Sequence, residues 1–292
     1  MHAHNSSFKE RATAAFATIS PTPGVAKPDP IIVANNVMRR FGGLTAVNVE
    51  HVEIQRGSIT ALIGPNGAGK TTFFNLLTGF DSVDEGSWTL NGEQISGTPP
   101  HKVARKGMVR TFQLTKALFR LSVIDNMRLA ATHQRGESFI RGLFPFIWRK
   151  QESEITAQAE ELLARFKLID KKTDFAAALS GGQRKLLEMA RALMVKPEIV
   201  MLDEPMAGVN PALKQSLLGH IKDLREEGMT VLFVEHDMDM VRDISDWVIV
   251  MAEGKIVAEG TPDSVMGNQA VIDAYLGAHH DVSLDTSDHE GR

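Results

Sequence analysis

"GSITALIGPNGAGKTTFFNLLTGF", residues 57–80, decides the fold. Ile59 to Ile63 form an apolar run with the length of a buried strand. It runs straight into a glycine-rich loop. The loop opens into "TTFFNLLTGF", where Phe74, Leu77 and a closing Gly79 suit a helix. Strand, loop and helix in that order are the context that G-x-x-x-x-G-K-[ST] requires. Gly64, Pro65, Asn66, Gly67, Ala68, Gly69, Lys70, Thr71 and Thr72 fit the motif and its surroundings. Glycines let backbone N–H groups turn inward around phosphate oxygens, and a helix start adds a favourable dipole. Lys70 is placed to supply a point charge to the β- and γ-phosphates, and Thr71 to offer a hydroxyl to Mg²⁺. The phosphates of a nucleotide, with Mg²⁺, are therefore the expected ligand.

The flanking sequence extends this unit into an α/β architecture. On the N-terminal side, "IIVANNVMRRF" and "VNVEHVEIQ" place apolar residues near alternation, as strands do. "GSWTLNGEQI" reads as a hairpin turning at Asn91–Gly92. From about Leu114 to Ala178 the pattern is mostly helical, in "VIDNMRLAATHQ" and "SEITAQAEELLARFKLI". After Leu179 strands and helices alternate again. "PEIVMLDEP" and "MTVLFVEHD" are continuous apolar strands, and "PALKQSLLGHIKDLREEG" is a helix ended by glycine. "DWVIVMAEGKIVAEG" is a hairpin around "EG". Apolar strands alternating with helices imply a parallel sheet covered on both faces.

The 292 residues carry a formal net charge of −4, 43% hydrophobic and 23% charged residues. That is ordinary for a globular chain with a real core, and it disfavours nucleic acid as the main partner. The absence of cysteine excludes disulfides and thiolate metal sites. No apolar run approaches the ~18 residues of a membrane span, so membrane association is expected only through a partner. Residues 1–30, rich in Pro, Ser, Ala and Thr, read as a flexible tail, and so do 278–292. His279, His280 and His289 in that second tail read as solvated.

"IVMLDEP" sets Asp203 and Glu204 at the end of a buried strand, where open α/β sheets bind ligands. Asp203 can hold Mg²⁺, and Glu204 can accept a proton from an attacking water. His236 ends the next strand and could contact the γ-phosphate or the water. Gln113, where the β-rich part meets the helical part, could reach Mg²⁺ or water. Farther along, "ALSGGQRKLLEMARALM" at 178–194 reads as a second anion-binding helix start. Ser180, Gly181 and Gly182 precede an apolar stripe of Leu186, Met189, Ala190 and Leu193. The segment 138–150, with Phe139, Phe144, Phe146 and Trp148, reads either as extra core or as a surface near a membrane partner.

In order, Phe41, the phosphate loop, Gln113, "LSGGQ" at 179–183, "VMLDEP" at 200–205 and His236 resemble the nucleotide-binding subunit of ABC transporters, over about residues 31 to 277. The resemblance implies a P-loop RecA-like core with an antiparallel β subdomain and an inserted α-helical subdomain. The implied divisions are 31–112 for the β subdomain and first core part, 113–178 for the helical subdomain, and 179–277 for the second core part. Two such subunits, identical or sisters, would close head to tail around two ATP molecules. Phe41 would stack on adenine. Ser180, Gly181, Gly182 and Gln183 of one subunit would complete the site of the other. Gln113 would link the site to the helical subdomain, which receives a short helix from a transmembrane permease. The chain would then sit on the cytoplasmic face of the membrane.

"FGGLTAVNVEHVEI", "VRTFQLTKALFRLSVIDNM", "EPMAGVNP" and "VIDAYLG" are similar to the larger ATP-binding subunit of bacterial branched-chain amino acid importers. Many ABC proteins carry Asp where Asn210 stands; this subgroup carries Asn. Such importers also use a solute-binding protein. ATPase residues do not touch the cargo, so a urea or amide importer and a lipopolysaccharide exporter stay open. A soluble ABC ATPase acting on nucleic acid or ribosomes is disfavoured by the single cassette, the acidic balance and the lack of long heptad runs.

Overall fold

The computed structural model describes residues 7–111, 118–131 and 145–275, with only the backbone at 145–150. Gln113, Phe139, Phe144, the side chains of Phe146 and Trp148, and the tail 278–292 with its histidines lie outside the described residues.

The centre is a six-stranded sheet of order β10-β9-β3-β8-β7-β6. Its strands are β3 (Ile59–Ile63), β6 (Met108–Arg110), β7 (Ile199–Asp203), β8 (Thr230–Val234), β9 (Trp247–Ala252) and β10 (Lys255–Gly260). All neighbours run parallel except β10, which returns from β9 as a hairpin. Successive strand residues point to opposite faces, and both faces are apolar. Ile59, Ala61, Ile63, Val200, Leu202, Val231 and Phe233 enter one core. Leu62, Ile199, Met201, Leu232 and Val234 enter the other. This explains why these strands read as unbroken apolar runs.

The second core is shared with α2 (Lys70–Leu77), through Phe73, Phe74 and Leu77, and with a four-stranded antiparallel sheet. That sheet has the order β2-β1-β4-β5 and comprises β1 (Pro30–Phe41), β2 (Leu44–Gln55), β4 (Glu85–Leu90) and β5 (Glu93–Gln94). The β4–β5 turn falls on Asn91 and Gly92, with φ of 52° and 75°, as a mirror-image two-residue turn requires. A short α3 (Pro100–Arg105) leads into β6.

The first core is capped by α4 (Val123–Ala130), α5 (Pro145–Arg165) and α6 (Gly181–Leu193), through Val123, Met127, Ala159, Leu163 and Leu187. Below them lies α7 (Pro211–Glu226), with Leu217, Ile221 and Leu224 turned inward. The Asn210 side chain accepts the Leu213 N–H and caps α7. Asn210 therefore has a local structural task. Helix α8 (Met238–Ile244) leads into β9, and α9 (Pro262–Met266) follows β10.

The N-terminal expectation needs correction. From Phe8 to Ala17 the chain is helix α1, not tail. Ser7 and Glu10 form a capping box, and Phe16 is buried with its ring stacked 4.7 Å from that of Trp247. Residues 19–29 then run back across the core. Lys27 Nζ pairs with Glu259 at 2.8 Å, with both side chains fully buried, and Trp247 Nε1 donates to the same carboxylate. The composition of the segment is tail-like because most of its residues face water. The few that do not are enough to anchor it. Phe16→Ala should cost about 3 kcal/mol of stability, read as a lower denaturant midpoint. An unchanged midpoint would mean the helix is not docked in solution.

Candidate active site

The phosphate loop owes its shape to positions where only glycine fits. Gly64 has φ 148°, and a Cβ there would lie 2.0 Å from the Met251 carbonyl oxygen. Gly69 has φ 97°, and its Cβ would lie 2.3 Å from the Ala46 oxygen. Gly69 is also the N-cap of α2 and provides no side-chain cap. The first N–H groups of α2 therefore remain available to an anion. Lys70 Nζ reaches back to the carbonyl oxygens of Gly64 and Pro65, each at 2.8 Å. Burial pushes the Lys70 pKa below the usual lysine value, against the pull of Glu204 and Asp203.

Over the loop opens a cavity of about 540 Å³. Its phosphate side is formed by Asn66 to Thr72. Its far wall is Phe41, Leu44, Thr45 and Ala46. Phe41 is half exposed, and one face of its ring is covered by the Arg39 guanidinium at 4.7 Å. An exposed aromatic face at that wall suits stacking of a flat base. The cavity is completed by Glu204, His236, Glu253 and Gly254.

Glu204 follows β7 with φ 46°, a left-handed conformation that is uncommon outside glycine. Its Oε1 lies 3.0 Å from His236 Nε2. With Glu204 ionised, that nitrogen carries the proton and donates. Asp203, one residue earlier, is almost fully buried, and its Oδ2 accepts from Arg110 Nη2 at 2.5 Å. Arg110 also donates to Asn75 on α2, so one guanidinium ties β6, β7 and α2 together.

The second glycine motif stands apart from this cavity. Ser180 caps α6 in a reciprocal box. Its Oγ accepts the Gln183 N–H at 3.2 Å, and its own N–H donates to Gln183 Oε1 at 3.0 Å. The two glycines differ. A Cβ at Gly182 would come within 1.8 Å of Leu213 Cδ2, so a side chain there requires Leu213 to move. A Cβ at Gly181 would meet nothing nearer than an Arg184 nitrogen at 4.0 Å. Among the described residues, nothing requires Gly181 to lack a side chain.

The structure thus brings Phe41, Asn66 to Thr72, Glu204 and His236 to one cavity, with Gly64, Pro65 and Asp203 behind it. Ser180 to Gln183 do not line it. Sequence reasoning missed Leu44, Thr45 and Ala46, the turn Glu253–Gly254, and Arg110. The Glu253–Gly254 turn is bound to the loop itself, with the Gly254 N–H donating to the Ala68 oxygen. Only the three-dimensional arrangement joins that hairpin to the loop.

A P-loop on a parallel sheet, an acidic strand end, a facing histidine, an added antiparallel sheet and a capped "LSGGQ" helix together define an ATP-binding cassette ATPase. Residues 47–207 match the ABC transporter family, and residues 255–281 match the branched-chain amino acid ATP-binding cassette transporter family. The chain belongs to the ABC transporter family as an ATPase subunit. It is 42% identical to the high-affinity branched-chain amino acid transport ATP-binding protein BraF of Pseudomonas aeruginosa, over 85% of this chain and 98% of that one. It is 41% identical to the corresponding protein LivG of Escherichia coli K12, with the same coverage. The crystal structure of an ABC transporter cassette in its ADP conformation superposes with a TM-score of 0.73 at 34% identity, covering 85% of this chain and 99% of that one. These relatives are ATP-binding components of transport systems. None of the described helices is long and apolar enough to cross a membrane.

Proposed function

We propose that this subunit drives an importer of branched-chain or related hydrophobic amino acids. The observation that carries this reading is an intact ATPase set, Lys70, Asp203, Glu204 and His236, in a chain whose C-terminal segment matches the branched-chain family. ATP enters with its base toward Phe41 and its phosphates on Gly64 to Thr72. Glu204 takes the proton of the attacking water, and His236 holds Glu204 and faces the γ-phosphate.

The residues present fit Mg²⁺. Thr71 lines the cavity, and Asp203 gives only one carboxylate oxygen to Arg110 among the described residues. No cluster of three metal-binding side chains exists among the described residues. That agrees with an ion held largely by water and nucleotide phosphates. Thr71, Asp203 and Gln113 would hold it, and bound there it would neutralise charge on the phosphates.

Ser180, Gly181, Gly182 and Gln183 serve the neighbouring ATPase subunit, a second copy or a sister. That pairing accounts for a helix start that this chain's own cavity does not use. A groove of about 400 Å³ between α3, β6 and α6, lined by His101, Arg105, Val109, Arg191 and Val195, supports a seat for a permease helix at the cytoplasmic face. A solute-binding protein would act on the far side of the permease.

The test is purification of the native complex from membranes, followed by identification of its subunits and reconstitution in vesicles. Two permease subunits and leucine uptake that depends on ATP are the expected result. Uptake of urea or amides without leucine, or outward lipid transport, would replace the cargo assignment and leave the ATPase assignment intact.

A further inference from the structure

Helix α6 makes contacts in two places. Its first turn carries Ser180 and Gly181. One turn on, Lys185 leaves the same helix toward the turn that follows β7. Lys185 Nζ donates to the carbonyl oxygens of Ala207 at 2.5 Å, Pro205 at 3.0 Å and Glu204 at 3.5 Å. A charged donor on neutral carbonyls makes stronger hydrogen bonds than a neutral one would.

The same turn is held from another side by Glu235. Its Oε1 accepts the Met206 N–H at 2.9 Å, and its Oε2 accepts the His236 N–H at 3.3 Å. Glu235 is buried, which pushes its carboxyl above the usual range, opposed by those two N–H groups. Lys185 is half-buried, and burial pushes its ammonium below the usual lysine value while Glu235 pulls it back.

The backbone of residues 204–207 is then completely accounted for. The Glu204 N–H donates to the Val234 oxygen, and the Ala207 N–H to the Glu204 oxygen. The Met206 oxygen accepts the Val209 N–H. Met206 donates to Glu235, and the Pro205 and Ala207 oxygens accept from Lys185. A turn that must keep Glu204 at φ 46° is fixed by two ionic side chains of opposite sign. One comes from α6 and the other from the residue before His236.

We propose that Lys185 and Glu235 are positioning residues that clamp the 204–207 turn between α6 and the end of β8. The helix whose N-terminus serves the neighbouring subunit's nucleotide thereby also aims Glu204 in its own site. Movement of Ser180 and Gly181 against a neighbouring phosphate reaches Glu204 through one side chain. The proposal rests on the reading of Glu204 as the base.

In the full chain, Lys185→Met should lower kcat on the order of 100-fold, the scale of a ~1 Å misplacement at a reacting centre. KM for MgATP should stay within about twofold, because the phosphate loop and Phe41 do not touch the clamp. Lys185→Arg should recover most of the loss, since a guanidinium can also donate to several carbonyls. A kcat within about threefold of wild type for Lys185→Met overturns the proposal. So does an equal loss through KM and kcat that Lys185→Arg does not repair. If Lys185→Met fails to fold, Lys185→Gln, which keeps amide donors without charge, is judged by the same kcat and KM criteria. Glu204→Gln measured alongside separates the two levels. If it hydrolyses ATP normally, the base assignment fails; if it is silent while Lys185→Met is normal, only the clamp fails.

Discussion

Glu204→Gln is expected to bind ATP like the wild type and to lose hydrolysis by roughly 10²–10⁴-fold, the usual contribution of a general base. The amide replaces the carboxylate with almost no change of volume. His236 Nε2, 3.0 Å from Oε1, can donate to the amide oxygen as it does to the carboxylate. The turn around residue 204 is held by backbone contacts to Val234, Lys185 and Glu235, none of which needs the Glu204 side chain. Lys70 and Asp203 keep their partners. What disappears is the capacity to accept a proton. Nucleotide binding by fluorescence and steady-state phosphate release, measured on one preparation, check this. Wild-type turnover would show that another group takes the proton.

Gly181→Asp should have an effect of similar size by a different route. The site has room for the new side chain, and an acid in the first turn of α6 is favourable to the helix dipole. Folding and ATP binding by the isolated subunit should therefore survive. In a closed pair the new carboxylate would face the phosphates bound by the neighbour, and such like-charge juxtaposition costs several kcal/mol. Hydrolysis should fall to background in the pair, while the melting temperature and the ATP affinity of the monomer stay unchanged. Normal hydrolysis by this variant would mean that the "LSGGQ" helix does not take part in a shared site. Gly182 is less suited to this test, because a side chain there also displaces Leu213.

The chemistry of this chain was legible wherever it sits on one strand–loop–helix unit. Lys70, Thr71, Glu204 and His236 follow buried strands and Asp203 ends one, and periodicity marks those strands from sequence alone. The far wall of the cavity was legible only at Phe41. Leu44 to Ala46 look like ordinary strand entry, and Glu253–Gly254 like an ordinary hairpin turn. They become part of the site because β2 and the β9–β10 turn are bonded to each other and to the loop, the Asn48 N–H meeting the Gly254 oxygen at 2.7 Å. No local pattern encodes that contact. Helix α1 is a different kind of miss. The signal was present, because Ser7 followed by Glu10 with Phe8 between them is a helix-start pattern. Tail-like composition outweighed it, although a few well-placed apolar residues are enough to dock a short amphipathic helix.

Lys27 links the two sheets through its own backbone and side chain. Its backbone N–H is bonded to Glu53 on β2, and its ammonium to Glu259 on β10. The two sheets that wall the nucleotide cavity are therefore riveted together at a point away from its mouth. A buried link of that kind resists separation of the two sheets, and cutting it, as in Lys27→Met, should loosen the side of the cavity that no phosphate contact holds.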